Sequence, residues 1–471
     1  DFGIGAANIK GTPLMVDGTL YVSAPDNAWA LDARDGRELW HYYWKTRGGT
    51  HIANRGLGIW NNYLYMVTPD DYLVSLDART GKERWNKVHA DFNQQYFSTT
   101  APIVVGNHVR PGQRIQLAVL GVNGPLSEPP PNYVWIRDAK VEVFPTPRAI
   151  EPQRVELSVV RTDPGLDAII PADATLKRVA TGLTFAEGPV WMDDAQGGSL
   201  LFSAPNRNRI YRWRPDGTLA VEREMSGYRG EDILRFRQPG SNGLALDPEG
   251  RLTICEHGNR RVTRLEPNGK LTVLADHDGG KRLNSPNDLV YRSDGLLLVT
   301  DPPFGLPGVY EDPRKELGYS GVYAVKDGVV KLVSTELKGP NGLALTPDEK
   351  RLYVDNWDER RKVVMRYDLA SDGSLSNGTV FFDVGAAEGG GGEIALDGLK
   401  VDVAGNVYVS GPGGIWVISG EGRLLGTFSP PEIPANFAWG DEDGRTLYMT
   451  ARTGLYRVRL GIAGAGRATG R

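Results

Sequence analysis

Residues 338–356 read KGPNGLALTPDEKRLYVDN: an amide at Asn341, a glycine, an apolar run, a polar turn, then a short strand-like segment, RLYVD. Working outward, the same order of residue types recurs at Glu187-Gly-Pro-Val-Trp before SLLFSA, Asn242-Gly-Leu-Ala-Leu before RLTIC, and Asn287-Asp-Leu-Val before LLLVT. It returns at Asp397-Gly-Leu-Lys-Val before NVYVS and Asn436-Phe-Ala-Trp before TLYMT. The six copies are spaced by 55, 45, 54, 56 and 39 residues, close to the roughly 40–50 residues of a four-stranded propeller blade. Between them, RIYRWRPDGTLAV, RVTRLEPNGKLTVL and GVYAVKDGVVKLV read as hairpins with Asp-Gly or Asn-Gly turns. The expected fold is all-β, with a six-bladed β-propeller over 166–465 and a short tail at 466–471. A β-sandwich could use similar turns but has no need of six copies of one signal.

Composition narrows the function classes. The 471 residues carry a net charge of -4 with no Lys/Arg-rich block, so neither nucleic acid nor a membrane surface is expected as partner, and a small molecule is. The oligomeric state is not legible. Cys255 is the single cysteine, which excludes an intrachain disulfide and a cysteine-based zinc or iron–sulfur site. Of six histidines only His257 and His277 lie beyond residue 110, without His-x-His or His-Glu-x-x-His spacing, so a zinc hydrolase is not expected. No run approaches 18 apolar residues. The sequence opens at Asp1 without a signal-like segment; a removed leader would make the protein periplasmic or secreted, and otherwise it would be cytoplasmic.

If the six signals begin the innermost strand of each blade, Glu187, Asn242, Asn287, Asn341, Asp397 and Asn436 form a ring of oxygen atoms at the mouth of one axial channel. Two carboxylates and several amide oxygens suit a hard divalent cation such as Ca²⁺. Asn-Gly and Asp-Gly are also ordinary turn formers. Glu187 is not, and its carboxylate would be costly to bury without a compensating charge.

The segments FAEGPVW (185–191), SPNDLV (285–290), GPNGLAL (339–345) and LDGLKVD (396–402) resemble signatures of the senescence-marker-protein, gluconolactonase and luciferin-regenerating-enzyme family, and CEHGNRRV and LLLVTDPPFG resemble its bacterial gluconolactonase branch. The similarity spans about 166–460. It implies metal-dependent hydrolysis of a sugar lactone to the aldonic acid. Glu187, Asn341 and Asp397 would be metal ligands, and Asn287 a fourth ligand or substrate contact that steadies the oxyanion. Asp397 would also act as general base. Ca²⁺ is the first expectation, with Zn²⁺, Mg²⁺ or Mn²⁺ as substitutes. Asn242, His257, Ser285 and Asn436 are candidate substrate contacts; Ser285 stands where some members carry an Arg. Ser241 and Ser285 lack a Gly-x-Ser-x-Gly elbow. Diisopropyl-fluorophosphatase-like enzymes use a similar ligand set, so phosphotriester or other ester hydrolysis, and a non-catalytic binding propeller, stay open as alternatives.

The amino-terminal region carries another repeat: ALDARDGRELW ending at Trp40 and SLDARTGKERW ending at Trp85. Over about 10–109 it resembles the tryptophan-docked blades of PQQ-dependent quinoprotein alcohol and glucose dehydrogenases, including NRGLGIW around Arg55 and YFSTTAPIVVGNHV around Thr99, which line the quinone pocket there. Only two to three blades' worth of this sequence precedes the break at Arg110, and Thr50 and His51 replace the family's vicinal cysteine pair. Residues 1–110 are therefore expected to form an incomplete quinoprotein-type propeller fragment without functional PQQ or dehydrogenase activity. Residues 111–165, with Pro129, Pro130 and Pro131, read as an extended linker bearing a strand or two.

Overall fold

Glycines punctuate strand-forming runs, and the described residues are almost all in β-sheets or the turns between them. The computed structural model describes residues 12–47, 56–88 and 147–466, except positions 17, 61, 231 and 232. Arg55 and Thr99, assigned to a quinone pocket, lie outside the described residues. The chain divides into two units, Asp1–Val141 and Glu142–Arg471. Helix is limited among the described residues to short 3₁₀ turns such as Pro164–Ala168, and no described helix is long and apolar enough to cross a membrane.

The first unit shows two four-stranded antiparallel sheets, Leu14–Val16 to Glu38–Tyr43 and Gly58–Trp60 to Glu83–Val88. The repeat explains how they join. Trp40 closes the first copy and packs on Gly81 of the second, where a Cβ would lie 2.5 Å from the indole, while its Nε1–H donates to the Ala78 carbonyl at 3.0 Å. Leu64, Met66, Val74 and Leu76 complete this core.

Among its described residues the second unit holds six sheets of four or five strands and one two-stranded hairpin. Their first strands are Glu187–Met192, Ser241–Leu246, Leu289–Tyr291, Pro340–Leu345, Leu399–Val401 and Asn436–Gly440, here called sheets 1 to 6. Each of these strands touches that of the next sheet, and the sixth touches the first, so they line a closed ring. The expected hairpins form. Asp327 and Gly328, with φ of 50° and 79°, make the left-handed turn that two-residue β-hairpins require.

Closure uses sequence from before the first repeat. Lys177–Thr181 pairs with Gly454–Arg459 as the fourth strand of sheet 6. Arg148–Arg154 adds a fifth strand to that sheet, and Ser158–Arg161 a fifth to sheet 5. The carboxy-terminal end of the stretch read as a linker thus carries strands of this unit. Leu166, Ile169 and Ile170 follow them into a core with Phe428, Phe437 and Tyr456.

Candidate active site

Crowding at the ring explains the repeated Glu/Asn/Asp-Gly pair. All six ring residues lie within two positions of the start of their first strands. A Cβ at Gly188 would lie 2.1 Å from the Asn242 carbonyl oxygen, at Gly243 2.5 Å from that of Asn287, and at Gly342 2.4 Å from that of Asp397. Gly243 and Gly342 donate their N–H groups to the same carbonyls at 2.7 and 2.9 Å. These glycines permit strands to converge, and register shifts after Glu187, Ser241 and Pro340 mark the strained starts.

Glu187, Asn341 and Asp397 come together directly. The Asn341 amide donates to Asp397 Oδ1 at 3.0 Å, and the Glu187 and Asp397 carboxyl groups lie close enough for the charge of one to act on the other. Burial, followed by the Asp288 charge, raises the Glu187 carboxyl to about 7, against the Gly188 N–H that it accepts. Burial and then the Glu187 charge push Asp397 well above its ordinary range. Five of the six ring side chains are buried, and Asp397 alone keeps partial exposure.

The amide oxygens of Asn242 and Asn341 are buried without a hydrogen-bond partner. Among the described residues no three His, Cys, Asp or Glu side chains form a metal-holding group. Any ion here would take amide oxygens beside the Glu187–Asp397 pair, a donor set that suits a hard cation. Two orphaned oxygens and two buried carboxyl groups whose charges oppose each other fit such an ion.

Asn436 is held among charged neighbours of the same ring. Its amide donates to Asp288 at 3.2 Å, while its oxygen accepts from the Lys400 ammonium at 3.2 Å and from the Phe437 N–H at 2.8 Å. Asn287 is buried and its backbone carbonyl serves Gly243. The Ser285 hydroxyl donates to the Pro302 carbonyl at 2.6 Å and accepts from the Gly305 N–H at 2.8 Å, latching that loop. His257 is fully buried with neither ring nitrogen partnered, and burial lowers its pKa to about 3.

Sequence reasoning missed Asp288, Asp355 and Lys400. Lys400 bridges to Asp288 at 3.4 Å. Asp355 is wholly buried, accepts from the Gly342 N–H at 3.2 Å and is raised well above its ordinary range, by burial first and the Asp288 charge second. A signal existed for two of them. Asp288 stands where four copies have Gly, and Lys400 where the other copies have Val, Ala or Trp.

Comparison with known proteins finds relatives for each region of the chain. A gluconolactonase of Zymomonas mobilis is 36% identical over 314 residues, 64% of this chain and 85% of its own length. A solved gluconolactonase of Xanthomonas campestris, 30% identical, covers 66% of this chain and 98% of its own with a TM-score of 0.56. A luciferin-regenerating enzyme at 21% identity and TM-score 0.50 shares the fold. The fold is therefore all-β and propeller-like. Residues 3–86 match the glucose/ethanol/alcohol dehydrogenase β-propeller domain. A quinohemoprotein alcohol dehydrogenase of Pseudomonas putida is 37% identical over 111 residues, only 15% of its length. Residues 185–453 match the SMP-30/Gluconolactonase/LRE-like region, and the chain belongs to that family.

Proposed function

We propose that the second unit closes as a six-bladed propeller whose axial site hydrolyses a sugar lactone to the aldonic acid. The observation that carries this reading is the Glu187–Asp397 pair beside the orphaned Asn341 oxygen, within a chain whose gluconolactonase relatives span the same region. Glu187, Asn341 and Asp397 would hold one divalent cation, Ca²⁺ in the first instance, with Asn287 as fourth ligand or substrate contact. When bound, the cation supplies Lewis-acid polarisation of the lactone carbonyl.

The chain's own groups do the rest. Asp397, made basic by its surroundings, takes the proton of the attacking water. The Asn287 amide steadies the oxyanion. Lys400 offsets part of the negative charge of Asp288 and keeps Asn436 fixed. His257 and Asn242 supply polar atoms on the substrate side, and the Ser285 hydroxyl shapes that side through the Pro302–Gly305 loop. The test is release of acid from glucono-1,5-lactone in a pH-stat, before and after chelation. Turnover should vanish on chelation and return with Ca²⁺, Zn²⁺, Mg²⁺ or Mn²⁺, the order of recovery identifying the ion. Chelation-resistant turnover would exclude the cation.

A further inference from the structure

Beside the strand that presents Asn341 lies a cleft of about 290 Å³ lined by Tyr310, Lys338, Trp357, Asp358, Glu359 and Arg360. It adjoins the ring through the chain itself. Pro340, beside Asn341, pairs with Asn356, and the Trp357 N–H donates to the Gly339 carbonyl at 2.7 Å. Gly339 to Asn341 is two residues, about 7 Å of extended chain. A Cβ at Gly339 would lie 2.7 Å from the Trp357 carbonyl oxygen and 2.8 Å from the Tyr310 hydroxyl, so the cleft wall rests on the strand that presents Asn341.

The cleft is built rather than a fold of loose loop. Asn356, 1% exposed, accepts from the Gly339 N–H at 3.0 Å and donates to the Arg361 carbonyl at 2.8 Å, clamping both ends of 357–361. Phe304 supports Trp357 at 4.9 Å between ring centroids and meets Tyr310 edge-on at 6.2 Å. Trp357 is nevertheless 39% exposed. A supported yet exposed indole is a platform for a ligand with an apolar face and a polar rim. Around it stand two cations, Lys338 and Arg360, and two carboxylates, Asp358 and Glu359. Their charges cancel, so the cleft selects by hydrogen bonding and not by ligand charge. The volume sits at the lower edge of the roughly 300–1,000 Å³ of small-molecule pockets, enough for one sugar ring and too little for an oligosaccharide.

We infer that this cleft is a subsite for a second, neutral sugar ring, so that the preferred substrate is an aldonolactone carrying a glycosyl substituent. The inference rests on the lactone-hydrolase reading for its substrate and on the cleft alone for its binding. The experiment compares kcat/KM on cellobiono-, maltobiono- and lactobiono-1,5-lactone with that on glucono-1,5-lactone, and measures cellobiose binding by calorimetry. At least one disaccharide lactone should be preferred by about tenfold or more. Trp357→Ala should abolish that ratio and cellobiose binding, and Trp357→Phe should keep part of both. Equal kcat/KM for all four lactones, or a ratio unmoved by Trp357→Ala, overturns the subsite. If no lactone turns over while cellobiose binds through Trp357, the subsite stands and the lactone reading falls. If neither occurs, both fall.

Discussion

Both units are built from antiparallel sheets, of four strands in the first and mostly four or five in the second, and both use glycine where two neighbours must approach, but what approaches differs. In the first unit Gly81 makes room for the Trp40 indole, and the contact is apolar apart from one indole hydrogen bond. In the second, Gly188, Gly243 and Gly342 make room for backbone carbonyls at the convergence of first strands. Packing an indole between sheets yields cohesion. Packing strand starts against one another concentrates the Glu187, Asp288, Asp355 and Asp397 carboxyl groups in one buried place, where their charges act on each other and chemistry becomes available.

The largest effect should come from the chemistry itself. Asp397→Asn keeps an oxygen but removes charge and basicity, so kcat on glucono-1,5-lactone at saturating Ca²⁺ should fall by at least the about 10² to 10⁴ of general-base assistance. Near wild-type turnover, after correction for spontaneous hydrolysis, would remove Asp397 as base and leave it at most a ligand.

The contrast between the two close approaches can be broken by one methyl group in each. Gly342→Ala places a Cβ against the Asp397 carbonyl and should cost about 1–3 kcal/mol by overpacking while lowering turnover. Gly81→Ala meets the Trp40 indole at a φ of +67° and should destabilise the first unit by a similar amount without changing lactone hydrolysis. Thermal unfolding and kcat on both variants decide this. Equal loss of turnover would show that the two units do not separate as described.

A smaller effect concerns stability against acid. His257 has a folded pKa of about 3, below the ordinary value of about 6.5, so only the unfolded chain gains its proton as pH falls. Its contribution is complete above about pH 6.5 and is lost toward pH 3 at about 1.4 kcal/mol per pH unit. His257→Phe should flatten the stability profile by one proton across that window, as read by urea unfolding at pH 6, 5 and 4. An unchanged slope would mean that water reaches the imidazole in the folded state.

Much of this was legible in order and spacing, because a repeat must present the same residue type at the same point of every sheet. Glu187, Asn341 and Asp397 were picked out as one site although 210 positions separate the first from the last. The Asn-Gly pairs, which taken singly could pass for turns, stand where a neighbouring strand leaves no room for a Cβ at Gly243 and Gly342. Asp355 escaped notice: a carboxylate at a strand end is ordinarily solvated, and nothing local shows that Gly342 of the same sheet bonds it in the interior.

What the sequence determined by itself is therefore the periodic part: strands, turns, six repeats, and the residue type at each strand start. Tertiary structure alone decided the rest. Closure through Lys177–Thr181 and the strands before it, the mutual action of the Glu187 and Asp397 charges, the contacts of Asn436 with Lys400 and Asp288 and the capture of Ser285 by the Pro302–Gly305 loop all depend on groups far apart in the chain. Local propensity acts over a few residues, whereas hydrogen bonding and electrostatics at an axis depend on distance in space, which only the closed ring of sheets sets.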